Sequence, residues 1–377
     1  MDRKFLLEKS ENIENLKIDK QKNKTIIDFA GDVAGSSAFD PEVLSYAELD
    51  LKDFTHICLM NLADIHFFDE GMDKKRFDKA SEFLNKTSNA YAVLSGDTFT
   101  MSTLDGASNA HMSKLNNMNS AILGKQCLSK IKDKILFGVG GNHDGEQGSR
   151  NRNANLSLTR LVLDCLGITY FQYNVLLKIN VDKEPYYVFV THGSGKATTK
   201  AAALDNMYNK CEAIFRRFKI FPNLVLSGHF HADVNGRYVI EVPVYDNGRL
   251  VSTRLQELII ESAPALQGDS EFTTAYSMDV TKPNVNLFDI SFAKNPSYNA
   301  RTKNTESPIM WNVSKFPLLK NTKDEFSTPA QKYMEEYNEP NVKLEIENLV
   351  KSNKYDIKVD DLANKIKTLY NEEVKTI

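Results

Sequence analysis

Cysteine pairs, long apolar runs and a surplus of charge of either sign are all missing from this chain, and each absence removes a class of protein. The four cysteines (Cys58, Cys127, Cys165, Cys211) stand far apart inside apolar segments, and none forms a C-x-x-C pair. A disulfide scaffold and a thiolate metal site are thereby excluded, and free thiols in a reducing compartment are expected. No run of 18 apolar residues is present, and Met1-Asp2-Arg3-Lys4-Phe5 leads into charged sequence. Neither a membrane span nor a signal peptide is expected, which points to the cytoplasm. The formal net charge is only −3. A nucleic acid would then have to be gripped by a local patch or by bound metal ions, because no global basic field exists. Internal repeats and low-complexity tracts are absent, and no glycine follows Gly268.

What is present is an ordinary globular composition, 41% hydrophobic and 26% charged over 377 residues, enough for one large domain or two smaller ones. Residues 1–50 are rich in Lys, Asn and Glu, with one apolar island at Ile26–Ala30, and read as an extension without chemistry. From residue 51 apolar strands alternate with helical spacing. Strands are expected at Thr55–Leu62, Tyr91–Leu94, Lys134–Phe137, Tyr173–Val181, Pro185–Val190 and Asn223–Leu226, and again at Glu257–Ile260 and Asn286–Ile290. Helices are expected over 73–87, in the stretch ending near Ile131, over 158–165 closed by Gly167, and over 200–218. This alternation predicts an α/β core. Beyond residue 292, Pro296, Pro308, Pro317 and Pro329 punctuate a polar stretch. Residues 293–377 therefore read as an extended arm and a helical tail, with Leu362, Ile366 and Leu369 on one face behind a cap at Asp360 or Asp361.

The histidines carry the functional signal. Of the seven, five (His66, His143, His192, His229, His231) follow an apolar strand directly and stand beside Gly, Asp or Asn. One such histidine is more often a hydrogen-bonded turn residue than a ligand. Five of them, joined by Asp64, Asp97 and Asn142 at the same place relative to their strands, point to a shared site at the carboxyl ends of an α/β sheet. The hub is Gly138-Val139-Gly140-Gly141-Asn142-His143-Asp144-Gly145, where a buried strand empties into a glycine-permitted turn. Nitrogen and oxygen ligands without thiolate suit Mn, Fe or Zn. The set is larger than one four-coordinate ion requires, so two divalent ions are the economical reading. Asp97, the one motif residue with no histidine beside it, is the natural bridge.

Five ordered blocks carry a resemblance: Asp64-Ile65-His66, Gly96-Asp97, Gly141-Asn142-His143-Asp144, His192, and Gly228-His229-Phe230-His231. In these the chain resembles the calcineurin-like metallophosphoesterase superfamily. The resemblance implies a sandwich of two mixed β-sheets flanked by helices, a dimetal centre at the strand ends, and hydrolysis of a phosphate ester. It would give Asp64, His66 and His231 to the first ion, Asn142, His192 and His229 to the second, and Asp97 to both. His143 would face the phosphate and leaving group as a catalytic residue, with Asp144 orienting it. Two cations about 3.5–4 Å apart acidify a water between them and clamp the phosphoryl oxygens. Manganese is the first choice; Fe, Zn or Ni would also fit. The chain departs from many members in having Thr98-Phe99-Thr100 where a further acid follows Gly-Asp. It also reads His192-Gly193 where others read Gly-His.

Weaker signals resolve blandly. Gly193-Ser194-Gly195-Lys196 lacks the spacing of a P-loop and reads as a turn. Arg150 and Arg152 read as a solvated helix start, His111 as an ordinary polar contact and His56 as structural. The expected activity is a soluble dimetal phosphoesterase, a phosphodiesterase before a phosphomonoesterase, with nuclease action within its range. A nucleotide, a nucleic acid, a phosphoprotein or a sugar phosphate could be the substrate. A catalytically silent binding scaffold is the competing class. The tail, with acids and lysines nearly balanced, suits protein or self-association rather than nucleic acid.

Overall fold

The computed structural model describes residues 45–50, 56–69, 71–101, 115–144, 157–181, 184–193, 195, 197, 199–218, 220–246, 249–266, 284–295, 309–320 and 325–336. The apolar island at 26–30, His111, Arg150, Arg152 and the helical face of Leu362, Ile366 and Leu369 lie outside the described residues. Among those residues, no helix is long and apolar enough to cross a membrane.

The run that reads as the first strand is β2 (His56–Leu62), apolar but for His56 and Asn61 because both its faces are buried. Ile57 and Leu59 point into one core, and Cys58, Met60 and Leu62 into another. Parallel to it lie β3 (Ala90–Ser95) and β4 (Ile135–Val139), and parallel to β4 the two-residue β5 (Tyr170–Phe171). On the other side, β11 (Asn286–Lys294) pairs antiparallel with β2, and β12 (Ile309–Pro317) antiparallel with β11. The first sheet thus has the order β12-β11-β2-β3-β4-β5.

A second six-stranded sheet faces it. It contains β1 (Ser45–Asp50), β6 (Asn174–Val181), β7 (Glu184–Thr191), β8 (Leu224–Ser227), β9 (Val234–Asp246) and β10 (Arg249–Ser262), in the order β1-β6-β7-β8-β10-β9. The layer between the sheets is filled by Val93, Phe137, Val139, Val175, Leu177, Val188, Val190 and Leu226. Helices pack on the outer face of each sheet. The first carries α1 (Lys74–Lys86), α2 (Asn117–Ser129) and α3 (Leu158–Leu166); the second carries α4 (Lys200–Phe218) over Leu176, Phe189 and Val225. The helices begin where the sequence supplies caps. The Asp73 side chain accepts from the Arg76 N–H at 3.1 Å, and Ser157 accepts from that of Arg160 at 3.1 Å. This is the expected architecture: two mixed sheets with helices outside.

The expected boundaries at 50 and 292 fall inside the pairing. β1 pairs parallel with β6, Ser45 opposite Val175, so residues read as an extension supply an edge strand. At the other end, β12 lies within the expected arm and continues the first sheet. A further helix, α5 (Thr328–Glu336), packs Ala330 and Tyr333 into the first core. Edge strands have one unpaired side and tolerate the prolines and mixed patterning that read as linker.

Candidate metal centre

Every expected ligand sits just past a strand end. β2 delivers Asp64 and His66, β3 Asp97, and β4 Asn142 and His143. From the second sheet β7 delivers His192, and β8 delivers His229 and His231. Leaving each strand takes a sharp turn. Asp64, His66, Asp97, His229 and His231 all have positive φ, between 47° and 74°, a region costly for non-glycine residues though visited by Asp and His. Strain on the order of 1–3 kcal/mol per residue persists only where the surroundings impose it. Here backbone bonds do so: Asp64 N–H donates to Gly96 O, His66 N–H to Asp97 O and Phe67 N–H to Thr98 O, at 3.0–3.1 Å. Two glycines permit close approach. A Cβ on Gly141 would stand 2.1 Å from Asp97 Oδ1, and one on Gly228 2.5 Å from Asp64 Oδ2.

The turns bring the ligands together. Asp64, His66 and His231 offer ligand atoms within 4.8 Å of one another, and so do Asp64, Asp97 and His192. Asn142 Oδ1 lies 2.7 Å from His192 Nε2 and 2.8 Å from His229 Nδ1. Asp97 Oδ2 lies 3.0 Å from His192 Nε2, and Asp64 Oδ1 3.3 Å from His231 Nε2. Asp64 is common to both groups, where the sequence singled out Asp97 as the shared carboxylate. Asp97 nonetheless acts on both sides, because its charge bears on His66 as well as on His192.

The tautomers follow from the outward-facing nitrogens. His192 Nδ1 donates to the Ser95 carbonyl at 3.0 Å, and His229 Nε2 donates to the Gly195 carbonyl at 2.9 Å. Each ring therefore turns its lone-pair nitrogen inward. Two imidazole lone pairs, the Asn142 amide oxygen and the Asp97 carboxylate then converge, all of them acceptors. Such a cluster requires a cation. With only protons to draw on, His192 supplies it: burial disfavours its charge, but Asp97 outweighs this and raises it to about 9. Asp97 answers in kind. Burial would raise its carboxyl, but His192 and His143 hold it well below the usual range. On the other side, His66 Nε2 is buried without a partner, and burial lowers this ring to about 3. A neutral imidazole with an orphaned inward nitrogen is the form a divalent ion takes as ligand. The residues present fit two ions.

His143 stands apart from the ligands. Its N–H donates to Asp97 Oδ1 at 2.7 Å and its carbonyl accepts from Met101 N at 2.8 Å. The ring lies 5.3 Å from that of His66, edge to face. The carboxylate of Asp144 turns away from it. Asp144 accepts from Gly141 N at 2.6 Å, Thr159 Oγ1 at 2.5 Å and Phe99 N at 3.4 Å. Among the described residues, Asp144 thus fixes the loop that presents His143 and makes no bond to the imidazole itself. Its burial and the Asp97 charge raise its carboxyl to about 7.

Beneath the ligands runs a polar seam that the sequence reading passed over. Asn61 Nδ2 in β2 donates to the Ser227 carbonyl in β8 at 3.0 Å, and Ser95 Oγ in β3 donates to Asn61 Oδ1 at 2.6 Å. Ser262 Oγ in β10 donates to the Gly228 carbonyl at 3.1 Å. These side chains are fully or almost fully buried. The one available signal was Asn61, an amide inside a run otherwise apolar on both faces.

No protein-family model and no curated protein matches the chain. Among solved structures, vacuolar protein sorting 29 from Cryptosporidium parvum is 12% identical over 70% of this chain and 99% of its own, with a TM-score of 0.31. A metallophosphoesterase from Sphaerobacter thermophilus is 12% identical over 76% of this chain and 96% of its own, TM-score 0.29. A protein serine/threonine phosphatase from Saccharomyces cerevisiae is 10% identical over 83% and 96%, TM-score 0.31. The likeness stands on the ordered blocks and on the two sheets that assemble them. In motif order and in two-sheet architecture, the chain is similar to the calcineurin-like metallophosphoesterases.

Proposed function

We propose that this protein is a dimetal-dependent phosphoester hydrolase, and within that class a phosphodiesterase able to act on nucleotides or nucleic acid. The supporting observation is the convergence of acceptor atoms from five strand ends of two sheets. Asp64, His66 and His231 would hold one ion, Asn142, His192 and His229 the other, with Asp97 between them. Manganese is the ion we assign, from the nitrogen and oxygen donors and the lack of thiolate. When bound, the ions supply an acidified water and the positive charge that clamps phosphoryl oxygens.

The chain's own residues supply the rest. A water oxygen bonds to phosphorus as the ester P–O bond breaks, and the departing oxygen takes a proton. His143 is the residue we assign to that proton transfer, because its imidazole makes no side-chain hydrogen bond within the described residues while its backbone is pinned to Asp97. Asp144 and Thr159 keep its loop rigid. The preference for diesters rests on the His192-Gly193 and Gly-Asn-His-Asp forms of the blocks.

The test compares bis-p-nitrophenyl phosphate, p-nitrophenyl phosphate and single- and double-stranded DNA with Mn²⁺. Faster cleavage of the diester is expected. A faster monoester would make the protein a phosphatase, and silence with every divalent metal would make it a scaffold. His143→Asn should keep both ions and lose roughly 10²–10⁴-fold in turnover; loss of the ions instead would remove His143 from this role.

A further inference from the structure

The nitrogen of His66 that points away from the site is not held by a carbonyl. Its Nδ1 lies 2.8 Å from Thr100 Oγ1, on the far side of the ring from the buried, orphaned Nε2. Thr100 is itself buried and follows Asp97 by three residues. A hydroxyl is both donor and acceptor, so two arrangements are open. Either His66 Nδ1–H donates to Thr100, or Thr100 donates to a bare Nδ1 and the ring proton sits on Nε2. The second would leave an N–H buried with no acceptor, a cost of about 1–3 kcal/mol. It would also turn a bare nitrogen toward the Asp69 carboxylate, 3.9 Å away. The first arrangement leaves the Nε2 lone pair facing Asp64 and His231.

We propose that Thr100 is a positioning residue that fixes the tautomer and orientation of His66, and so sets the affinity of the ion held by Asp64, His66 and His231. The inference rests on the metal-centre reading above and deepens it. A neutral hydroxyl raises the basicity of an imidazole less than a carboxylate partner does. The other side differs in kind: His192 and His229 are oriented by main-chain carbonyls that substitution cannot remove.

Calorimetric titration of the full chain with Mn²⁺ alone tests this. Thr100→Val keeps the shape and removes the hydroxyl. One of two ions should then bind about 10–100-fold more weakly, as outer-shell partners typically cost, with the other unchanged. Thr100→Ser should restore the loss. Equal affinities for both ions in Thr100→Val and the parent overturn the role of Thr100 and leave the hydrolase reading standing. A parent protein that binds no divalent ion overturns both. A second measurement needs no Thr100 variant: nitrogen-15 spectra of the imidazoles in the ion-stripped parent, with His66 assigned by its loss in His66→Asn. A proton on Nδ1 is expected, and a proton on Nε2 sinks the proposal.

Discussion

At the scale of single residues, the site is organised by how closely backbone approaches carboxylate. Gly141 is the sharpest case, since any side chain there meets Asp97 Oδ1 at 2.1 Å and its backbone nitrogen at 2.3 Å. Gly141→Ala should cost about 1–3 kcal/mol of stability through overpacking and expel at least one ion. Urea unfolding and elemental analysis of the purified variant measure both, and an unchanged metal content would contradict the geometry. The residues that converge at the site were legible in the sequence because Asp, His and Asn at strand ends repeat a pattern. Their supports were not. Thr100, Thr159, Ser95 and Ser227 are small hydroxyl residues, abundant everywhere, and nothing in one sequence says which of them lies across the space from an imidazole. Asp144 could be picked out by spacing, but only the fold reveals that its carboxylate faces Thr159 rather than the neighbouring ring.

At the scale of elements, α4 carries a lysine whose surroundings oppose its charge. Lys210 is largely buried, with the Thr191 hydroxyl at 3.4 Å as its polar partner, and burial lowers its ammonium from 10.5 to about 8. The folded value lies below the unfolded one, so between pH 8 and 10.5 the unfolded chain binds more protons and stability rises with pH; below pH 8 the penalty is complete. Lys210→Met should therefore stabilise the protein at pH 7, by at most about 3 kcal/mol, with the gain fading across that window. Urea unfolding at pH 7 and pH 10 checks the sign. Strand β12 makes a second case. It holds the sole tryptophan of the chain, Trp311, whose ring centroid is 4.8 Å from that of Tyr186 and 5.7 Å from that of Phe292. If β12 is integral to the sandwich, tryptophan fluorescence and far-ultraviolet circular dichroism should report one coincident urea transition. An earlier fluorescence change would restore the picture of a detachable arm. Central strands and amphipathic helices could be read from the sequence because burial on one or both faces imprints a period. β1 and β12 could not, because edge strands carry half that constraint, and β1 finds its partner β6 far along the chain.

At the scale of the whole molecule, the residues assigned to the ions divide between the sheets, four from the first and three from the second. Binding of ions should therefore be linked to global unfolding. At a free Mn²⁺ concentration of 100 times Kd, each site should add about 2.7 kcal/mol, removable with EDTA and read from denaturant midpoints. No change in midpoint would separate the ions from the fold. The seam of Asn61, Ser95 and Ser227 gives this division a further consequence. It makes the sandwich a caliper whose jaws are the two sheets and whose gauge, on the proposed assignment, is the span across which each ion would be held. Side chains in the middle layer, such as Phe137 and Val188, then act as shims. Trimming or enlarging one of them would then shift the affinity for Mn²⁺ from a distance, without altering any residue assigned to the ions.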